Sequence, residues 1–289
     1  MINELAVISG KGGTGKSSIT AAFATISENR VVLADCDVDA ANLHIIMEPE
    51  IEFTEVYISG EKAKIDHQIC KNCGVCQDYC RFDAITFTEG KYSIDEISCD
   101  GCKLCERVCP VKAISMEKSD KSRMHSGNFR NGKMVYGRLE PGEENSGKLV
   151  AMVRNRCREI AGQEQIDTIL IDSPPGIGCA VISSISGVNY VLIVTEPSMS
   201  ALSDLERTLQ LLEGFSLEKG VAINKHDLSP ELTERIIDFC NSKGVGIVGK
   251  IPFNPEVVEA MINSKSIVEW NPLSNVSKEI VKIWENITK

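Results

Sequence analysis

No apolar run in these 289 residues approaches the roughly 18 needed to span a bilayer as a helix, so membrane insertion is not expected. Positive charge is also scarce. The formal net charge of −10 argues against a basic surface for non-specific nucleic-acid binding. The opening residues, MINELAVISG, enter a strand pattern at once and leave no room for a signal peptide, so a cytoplasmic location is expected. That compartment keeps thiols reduced and excludes a disulfide framework. Yet the chain carries 12 cysteines, which therefore need another explanation. Hydrophobic residues at 43% and charged ones at 25% are ordinary for a globular protein. The length suits one large α/β domain with a small insert, or two modest domains.

The N-terminal segment reads as strand LAVIS, loop GKGGTGKS, helix SITAAFATIS and strand VVLADC, a compact βαβ unit. After about residue 60 the pattern changes. Ile65-Asp66, Cys70 and DAITF recur 29 residues later as Ile94-Asp95, Cys99 and KAISM, marking a duplicated unit. Residues 118–145 are polar, with Asn131-Gly132 as a hairpin signal, and are expected to form a connector. The alternation then resumes through DTILIDS, YVLIVTE, GVAINK and VGIVGKIPF, with helices between; Ser229-Pro230 is a helix start. The expected fold class is α/β. A doubly wound, mainly parallel sheet (1–60 and 146–289) is interrupted by a small α+β insert at 61–117.

Gly10-Lys11-Gly12-Gly13-Thr14-Gly15-Lys16-Ser17 fits the phosphate-loop pattern and sits between a strand and a helix, as it must. The glycines let backbone N–H groups turn toward phosphate oxygens. Lys16 would reach the outer phosphates, Ser17 would ligate Mg²⁺, and Ser18 continues the helix start. The form KGGTGKS resembles the deviant phosphate loop of the nitrogenase iron protein, MinD, ParA and Mrp superfamily of ATPases. The resemblance implies ATP/ADP as ligand and a dimer, of two copies or with a paralogous ATPase, in which Lys11 crosses to the partner's nucleotide. LADCDVDAANL resembles the first switch. It makes Asp37 the candidate to orient the attacking water, with Asp35 and Asp39 as near alternatives. ILIDSPPG resembles the second switch, with Asp172 holding Mg²⁺ through water and Gly176 approaching the γ-phosphate. Asn224-Lys225 matches the position of the family's adenine-contacting Asn, and IPFNP, with Pro252, matches the segment lining the base. The resemblance covers 1–60 and about 146–289.

Eight cysteines fall into two runs: Cys70, Cys73, Cys76 and Cys80, then Cys99, Cys102, Cys105 and Cys109, the last followed by Pro110. In this spacing three close thiolates hold one cubane cluster and the fourth reaches the other. Cys70, Cys73, Cys76 and Cys109 are expected to bind one [4Fe-4S] cluster, and Cys99, Cys102, Cys105 and Cys80 the second. Zinc would favour two separated cysteine pairs. Over residues 61–117 the unit resembles a bacterial two-cluster ferredoxin. It departs from that pattern where Arg81, not proline, follows Cys80.

Of the remaining cysteines, Cys36, Cys157 and Cys240 read as core or helix residues. Cys179 shares its offset from the switch aspartate with a cluster cysteine of the nitrogenase iron protein, a resemblance that implies a third metal centre held by two Cys179 side chains of a dimer; that protein's second ligand has no match here, and the favoured expectation is a small buried helix residue. Val276, Ile280, Ile283 and Ile287 share one face of the last helix and read as core. Arg130, Lys133 and Arg138 are a basic group that would dock an acidic partner or simply be solvated.

The whole resembles MinD-superfamily ATPases carrying an inserted ferredoxin domain. That implies Mg²⁺-dependent ATP hydrolysis coupled to electron transfer, with a redox protein as acceptor. The alternative is an iron–sulfur carrier of Mrp type serving an apo-protein acceptor, and the weaker alternative a MinD/ParA-like positioning switch.

Overall fold

The structure is a computed structural model and describes residues 3–27, 30–143 and 146–288. The chain begins β1 (Asn3–Ser9), α1 (Lys16–Ile26), β2 (Val31–Asp35), α2 (Leu43–Met47) and β3 (Glu50–Tyr57). It continues with β4 (Glu61–Ile65), α3 (Val75–Asp78), β5 (Ile85–Thr88), β6 (Lys91–Ile94), α4 (Leu104–Val108) and β7 (Ile114–Lys118). Then follow β8 (Ser122–Phe129), β9 (Gly132–Arg138), α5 (Ser146–Glu164), β10 (Thr168–Pro175), α6 (Cys179–Ile185), β11 (Tyr190–Thr195) and α7 (Met199–Leu212). The last elements are β12 (Glu218–Asn224), α8 (Pro230–Ser242), β13 (Gly246–Ile251), α9 (Glu256–Ile262), α10 (Ile267–Trp270) and α11 (Asn275–Ile287). Two compact units emerge: residues 1–54, 124–137 and 146–289 form one, and 55–123 with 138–145 the other.

The first unit is built on a sheet of order β13-β12-β11-β1-β10-β2-β9-β8-β3. Its central strands are continuous apolar runs because both faces are covered; all five residues of β2 and six of seven in β1 are buried. β1 lies parallel between β10 (Leu5 opposite Leu170) and β11 (Leu5 opposite Tyr190). The chain leaves β1 toward β2 on one side and places β11, β12 and β13 on the other. In such a sheet the crevice at the carboxyl ends, where the winding reverses, is the natural ligand position. Val276, Ile280 and Ile283 of α11 are buried at 1, 2 and 0% exposure, and Trp284 lies 5.0 Å from Phe23 of α1, so that helix is core as its spacing suggests. At Ser229 the hydroxyl accepts the Leu232 N–H and Pro230 opens α8.

Residues 118–145, expected as a connector with a hairpin at Asn131-Gly132, do more than connect, although 144 and 145 lie outside the described residues. β8 and β9 are sheet neighbours joined across Arg130-Asn131, and β9 runs parallel beside β2 with Val32 opposite Lys133. Nor is the basic group there free. Arg130 clasps Glu269 through Nε at 2.5 Å and Nη2 at 2.8 Å, and donates to the carbonyls of Met47 and Ser264 at 3.0 Å each. Lys133 lies between Glu52 and Glu164 at 3.7 and 3.5 Å.

The second unit carries the sequence repeat into three dimensions. β4-α3-β5 and β6-α4-β7 are its halves, and they pair crosswise: β4 with β7 and β5 with β6, both antiparallel. Equivalent contacts recur at the repeat distance. Asp66 N–H donates to Ala113 O at 2.7 Å and Asp95 N–H to Ala84 O at 2.8 Å; Cys70 and Cys99 N–H bond the carbonyls of those aspartates at 3.0 Å each. Left-handed backbone occurs at Asn72, Gly74 and Asp83 and again at Lys103, Gly101 and Lys112, the same three places in each copy. Gly101 is required for a further reason: a Cβ there would stand 2.2 Å from the Glu61 carbonyl oxygen. Ala63, Ala84, Ile85 and Ile114 form a small core with the Cys76 and Cys99 side chains.

One buried ion cluster ties the central strand to the helices behind it. Glu4 on β1 accepts from Arg158 Nε at 2.5 Å and from Arg154, whose Nη1 also donates to the carbonyls of Ser183 and Ser186 at 2.8 Å each. Burial alone would raise the Glu4 carboxyl; the hydrogen bonds from Arg158 and Arg154 outweigh it and hold it below 4.5. A depressed carboxyl contributes stability that is present above its unfolded pKa and is lost as pH falls through the folded one. Glu4→Gln should therefore cost about 3 kcal/mol of unfolding free energy at pH 7, because it strips the charge from a buried pair. That gap from wild type should shrink as the pH drops below 4.5. Urea melts of both proteins at neutral and acid pH measure it, and a gap independent of pH would contradict the assignment.

Candidate functional site

The carboxyl ends of β1, β2, β10, β11 and β12 meet around the loop between β1 and α1. The Gly10 Cα approaches α7 so closely that a Cβ would lie 2.6 Å from Asp204 Cβ. Gly13 and Gly15 take left-handed conformations with φ of 81° and 91°, and Gly15 is the residue from which α1 starts. A cavity of about 470 Å³ opens here, lined by residues 12–18, Asp37, Pro175, Asn224 and Lys225, with Ile251, Val257 and Met261 farther along it. An N-terminal helix end with inward-turning amides favours an anion. Thus Gly12, Gly13, Thr14, Gly15, Lys16, Ser17, Ser18 and Asp37 come together as the sequence suggests, at one cavity.

Charge beside this cavity is unbalanced, with Lys16 and Asp37 on its wall and Asp172 and Asp35 off it. Lys16 is 6% exposed and its Nζ lies 2.6 Å from Asp172 Oδ1 and 3.3 Å from Ser17 Oγ. Asp172 is fully buried; its Oδ1 also accepts the Thr20 hydroxyl at 3.2 Å, while its Oδ2 has no hydrogen-bond partner. Thr14 Oγ1 is likewise buried and unpartnered. A buried polar atom without a partner costs on the order of 1–3 kcal/mol, so both atoms await a ligand or water. Asp35, also fully buried, is pushed well up by burial first and by the Asp172 charge second, with Lys16 opposing. Its two oxygens accept the Asp37 and Leu43 N–H groups at 3.1 Å each, so it shapes the turn after β2 rather than facing the cavity. Asp37, half-buried, does line the cavity; burial raises it, Lys16 lowers it, and Asp172 and Asp39 raise it further. Asp39 is exposed.

Of the other expected residues, Lys11, Gly176 and Pro252 are off the cavity wall, while Asn224 and Lys225 line it. Lys11 Nζ is held 2.7 Å from Glu196 Oε1 and 3.1 Å from the hydroxyls of Ser198 and Ser200. Gly176, at φ 93°, donates its N–H to Ser9 O at 2.9 Å. Pro252 lines a separate concavity with His226, Lys250 and Asn275. Asn224 and Lys225 reach the loop backbone itself: Asn224 Nδ2 donates to Thr14 O at 2.7 Å and Lys225 Nζ to Gly13 O at 2.9 Å. Glu196 is the functional residue that sequence reasoning missed. It joins Lys11 and Lys225, at 2.7 and 2.9 Å, from a loop far along the chain with no motif of its own. Burial would raise its carboxyl, but the two lysines hold it below the usual value.

In the second unit Cys80, Cys99, Cys102 and Cys105 line one cavity together with Ala63, Ile85 and Ile94. Cys76, Cys80, Cys105 and Cys109 pack on the small core, and the Ala113 N–H donates to Cys109 Sγ at 3.2 Å. Burial pushes the Cys76 thiol up, and nearby Cys70 and Cys73 push it further; the Cys105 thiol rises to about 11 through burial first, with Cys99 and Cys102 adding to it. Ionising the Cys76 and Cys105 thiols therefore calls for a cationic group beside them. Among the described residues, no three His, Cys, Asp or Glu side chains converge tightly enough for a single metal ion. That geometry is not what a cubane requires, since each of its irons takes one cysteine. Mg²⁺ at phosphates likewise takes only one or two protein ligands. Cys36, Cys157 and Cys240 are buried in the first unit, whereas Cys179, expected in the core, is exposed at the start of α6. Among the described residues no helix is long and apolar enough to cross a membrane.

An uncharacterised protein of Methanocaldococcus jannaschii is 32% identical over 295 residues, covering 99% of this chain and 97% of that protein. An iron–sulfur cluster carrier protein of Aquifex aeolicus is 28% identical over 130 residues, 41% of this chain and 36% of its own length. The septum site-determining protein MinD of Pyrococcus horikoshii, solved with Mg-ADP, has the same fold at a TM-score of 0.61 and 20% identity, covering all of this chain and 97% of that one. The CobQ/CobB/MinD/ParA nucleotide binding domain matches residues 5–267, and with the phosphate loop and its cavity in place the chain belongs to that family.

Proposed function

We propose that the protein binds and hydrolyses ATP with Mg²⁺ and couples a nucleotide-dependent dimer switch to electron transfer through two [4Fe-4S] clusters. The observation that carries this reading is the joint presence, in one chain, of the phosphate cavity and of a duplicated unit whose four cysteines 80, 99, 102 and 105 share a cavity. That gathering fits the second cluster's expected ligand set, in which the fourth thiolate comes from the other run. Cys70, Cys73 and Cys76 with Cys109 would hold the first. Bound clusters would supply one-electron carriers; the chain's part is the thiolates, the Ala113 N–H on Cys109 and the apolar cover around them.

At the nucleotide, the amides of residues 13–17 would receive the phosphates and Lys16 would exchange Asp172 for phosphate oxygens. Ser17 Oγ and the unpartnered Asp172 Oδ2 are the groups to hold Mg²⁺, the latter through water. Asp37, on the cavity wall, would orient the attacking water. Lys11 sits off its own cavity and is free to be redirected to a partner subunit's phosphates once it leaves Glu196. The acceptor would be a redox protein, and the partner a second copy or a paralogous ATPase.

A second reading, transfer of a cluster to an apo-protein, is favoured by the similarity to the Aquifex aeolicus carrier. Reduction of the anaerobic protein with and without ATP, followed by EPR, separates the two. ATP-dependent change in cluster potential or oxidation rate supports electron transfer; clusters indifferent to ATP, with a labile extra cluster passed to an apo-protein, support the carrier.

Two outcomes test the parts. Lys11→Ala should lower ATP turnover by about 100-fold or more, as loss of a contact made only in the transition state does, with ATP affinity changed less than about threefold. Full ATPase activity in that variant would sink the dimer-dependent mechanism. Anaerobically purified protein should be brown, absorb broadly near roughly 400 nm and hold about eight irons per chain. A colourless protein with less than half that iron would remove the clusters from the proposal.

A further inference from the structure

The two halves of the cysteine unit repeat each other closely, but they differ at the carbonyl of the first cysteine in each run. Lys62, half-buried on β4, aims its ammonium at Cys99 O, 2.6 Å away, and at Gly142 O, 2.5 Å away. The chain at Gly142 lies tight against the same loop, since a Cβ there would stand 2.6 Å from Ile97 Cα. Lys62 thus fastens that segment to the backbone from which the Cys99 thiol projects. Among the described residues the lysine ion pairs of this unit join Lys64 to Glu117, Lys103 to Glu61 and Lys121 to Glu96, and leave Lys62 out.

The other copy has no such cation. The position equivalent to Lys62, 29 residues on, is Lys91 of β6. Lys91 is exposed, and its side chain makes no hydrogen bond among the described residues. Beside Cys70 stands a neutral group instead: Asn72 Nδ2 donates to Gly90 O at 3.1 Å, where the second copy sets Gly101 against Glu61 O. Cys99 is also buried, whereas Cys70 is not. An electron added to a cluster adds negative charge, so a fixed positive charge nearby favours the reduced form. Away from solvent that attraction is screened less than at the surface. Lys103 and Asp100 stand on the wall of the cavity that Cys99 shares with Cys80, Cys102 and Cys105. Lys103 is matched there by Glu61, and Asp100 is exposed, so neither opposes Lys62 strongly.

We propose that Lys62 is a positioning residue that sets the potential of the cluster on Cys80, Cys99, Cys102 and Cys105 above that of the other, so that the first electron entering the unit comes to rest there. The proposal rests on the two-cluster reading above. In each step one electron from an external one-electron reductant takes a cluster from its 2+ to its 1+ core, and no bond is made or broken.

The test is a redox titration of the anaerobic full-length chain at neutral pH, with dithionite and mediator dyes, read by EPR of the reduced clusters. Wild type should show two one-electron steps. Lys62→Gln should lower the reduced-to-oxidised ratio of the higher step about tenfold at a fixed potential, a shift of about 59 mV for one electron. The lower step should move by less than about threefold in the same ratio, or roughly half that shift. Lys62→Arg, which keeps the charge, should hold the higher step near its wild-type position, and Lys91→Gln should move neither. Cys102→Ser should alter or abolish the higher step alone, and Cys73→Ser the lower step alone, which assigns them. The proposal is overturned if wild type reduces both clusters at one potential, if Lys62→Gln leaves the higher step in place or moves both equally, or if Cys73→Ser alters the higher step. A merely structural lysine would lose iron in Lys62→Gln without shifting the clusters that remain, and that result overturns it too. Lys62→Met carries the same comparison should Lys62→Gln fail to load clusters. Wild-type protein with less than half of about eight irons removes the two-cluster reading, and this role with it. A full complement of iron with potentials indifferent to Lys62→Gln overturns this role alone.

Discussion

A buried lysine facing more negative charge than it can balance is the constraint on which the nucleotide end of this protein depends. Lys16 pairs with Asp172, while Asp35 is buried nearby and Asp37 stands on the same cavity wall. Buried charge is tolerated only when paired, so Asp35 is driven toward its neutral form and Asp172 keeps an oxygen without a partner. The parallel sheet creates this situation, since it brings the carboxyl ends of β1, β2 and β10 to one edge. A ligand that brought both phosphate and a divalent cation would answer both imbalances at once, as the proposed nucleotide would: the phosphate for the lysine and the cation for the carboxylate.

Around that centre, loop geometry is enforced by neighbours as much as by glycines. The Gly10 backbone is pressed against α7, Gly15 against Asn224, and the carbonyls between are tied to the turn after β12. Glu196 adds a second layer, because it binds a lysine from the loop and a lysine from that turn. Any rearrangement that releases Lys11 must therefore break an ion pair and two hydroxyl contacts in the same subunit.

The cysteine-bearing unit follows a different logic. Its apolar core is small, and two of the core's buried side chains are themselves cysteines. The duplication repeats the backbone pattern down to the left-handed residues, with Asn72, Asp83, Lys103 and Lys112 adopting a conformation that non-glycine residues ordinarily avoid. Crosswise pairing of β4 with β7 and β5 with β6 brings the end of each copy beside the start of the other. It places Cys80 of the first run in the cavity of the second, beside Cys99, Cys102 and Cys105.

Much of this was legible from residues alone. The phosphate loop is a local motif whose glycines, lysine and serine act over eight consecutive positions, and the parallel α/β character follows from short apolar strands alternating with helices. The cysteine runs and their 29-residue repeat are likewise written in spacing. What spacing could not reveal are contacts between residues far apart in the chain. The strands β8 and β9 come from a segment that reads as a polar connector with a hairpin; only the fold shows its Phe129, Met134 and Tyr136 buried in the main core beside β2. The resemblance favours Asp37 with Asp35 as a near alternative; the fold buries Asp35 in backbone hydrogen bonds and leaves Asp37 on the cavity wall. Residue types and their spacing supply the chemistry available: loop amides, a lysine, carboxylates and eight spaced thiols. Tertiary structure alone decided which of them meet, because burial and long-range pairing, not residue type, set where Lys11, Asn224 and Glu196 point.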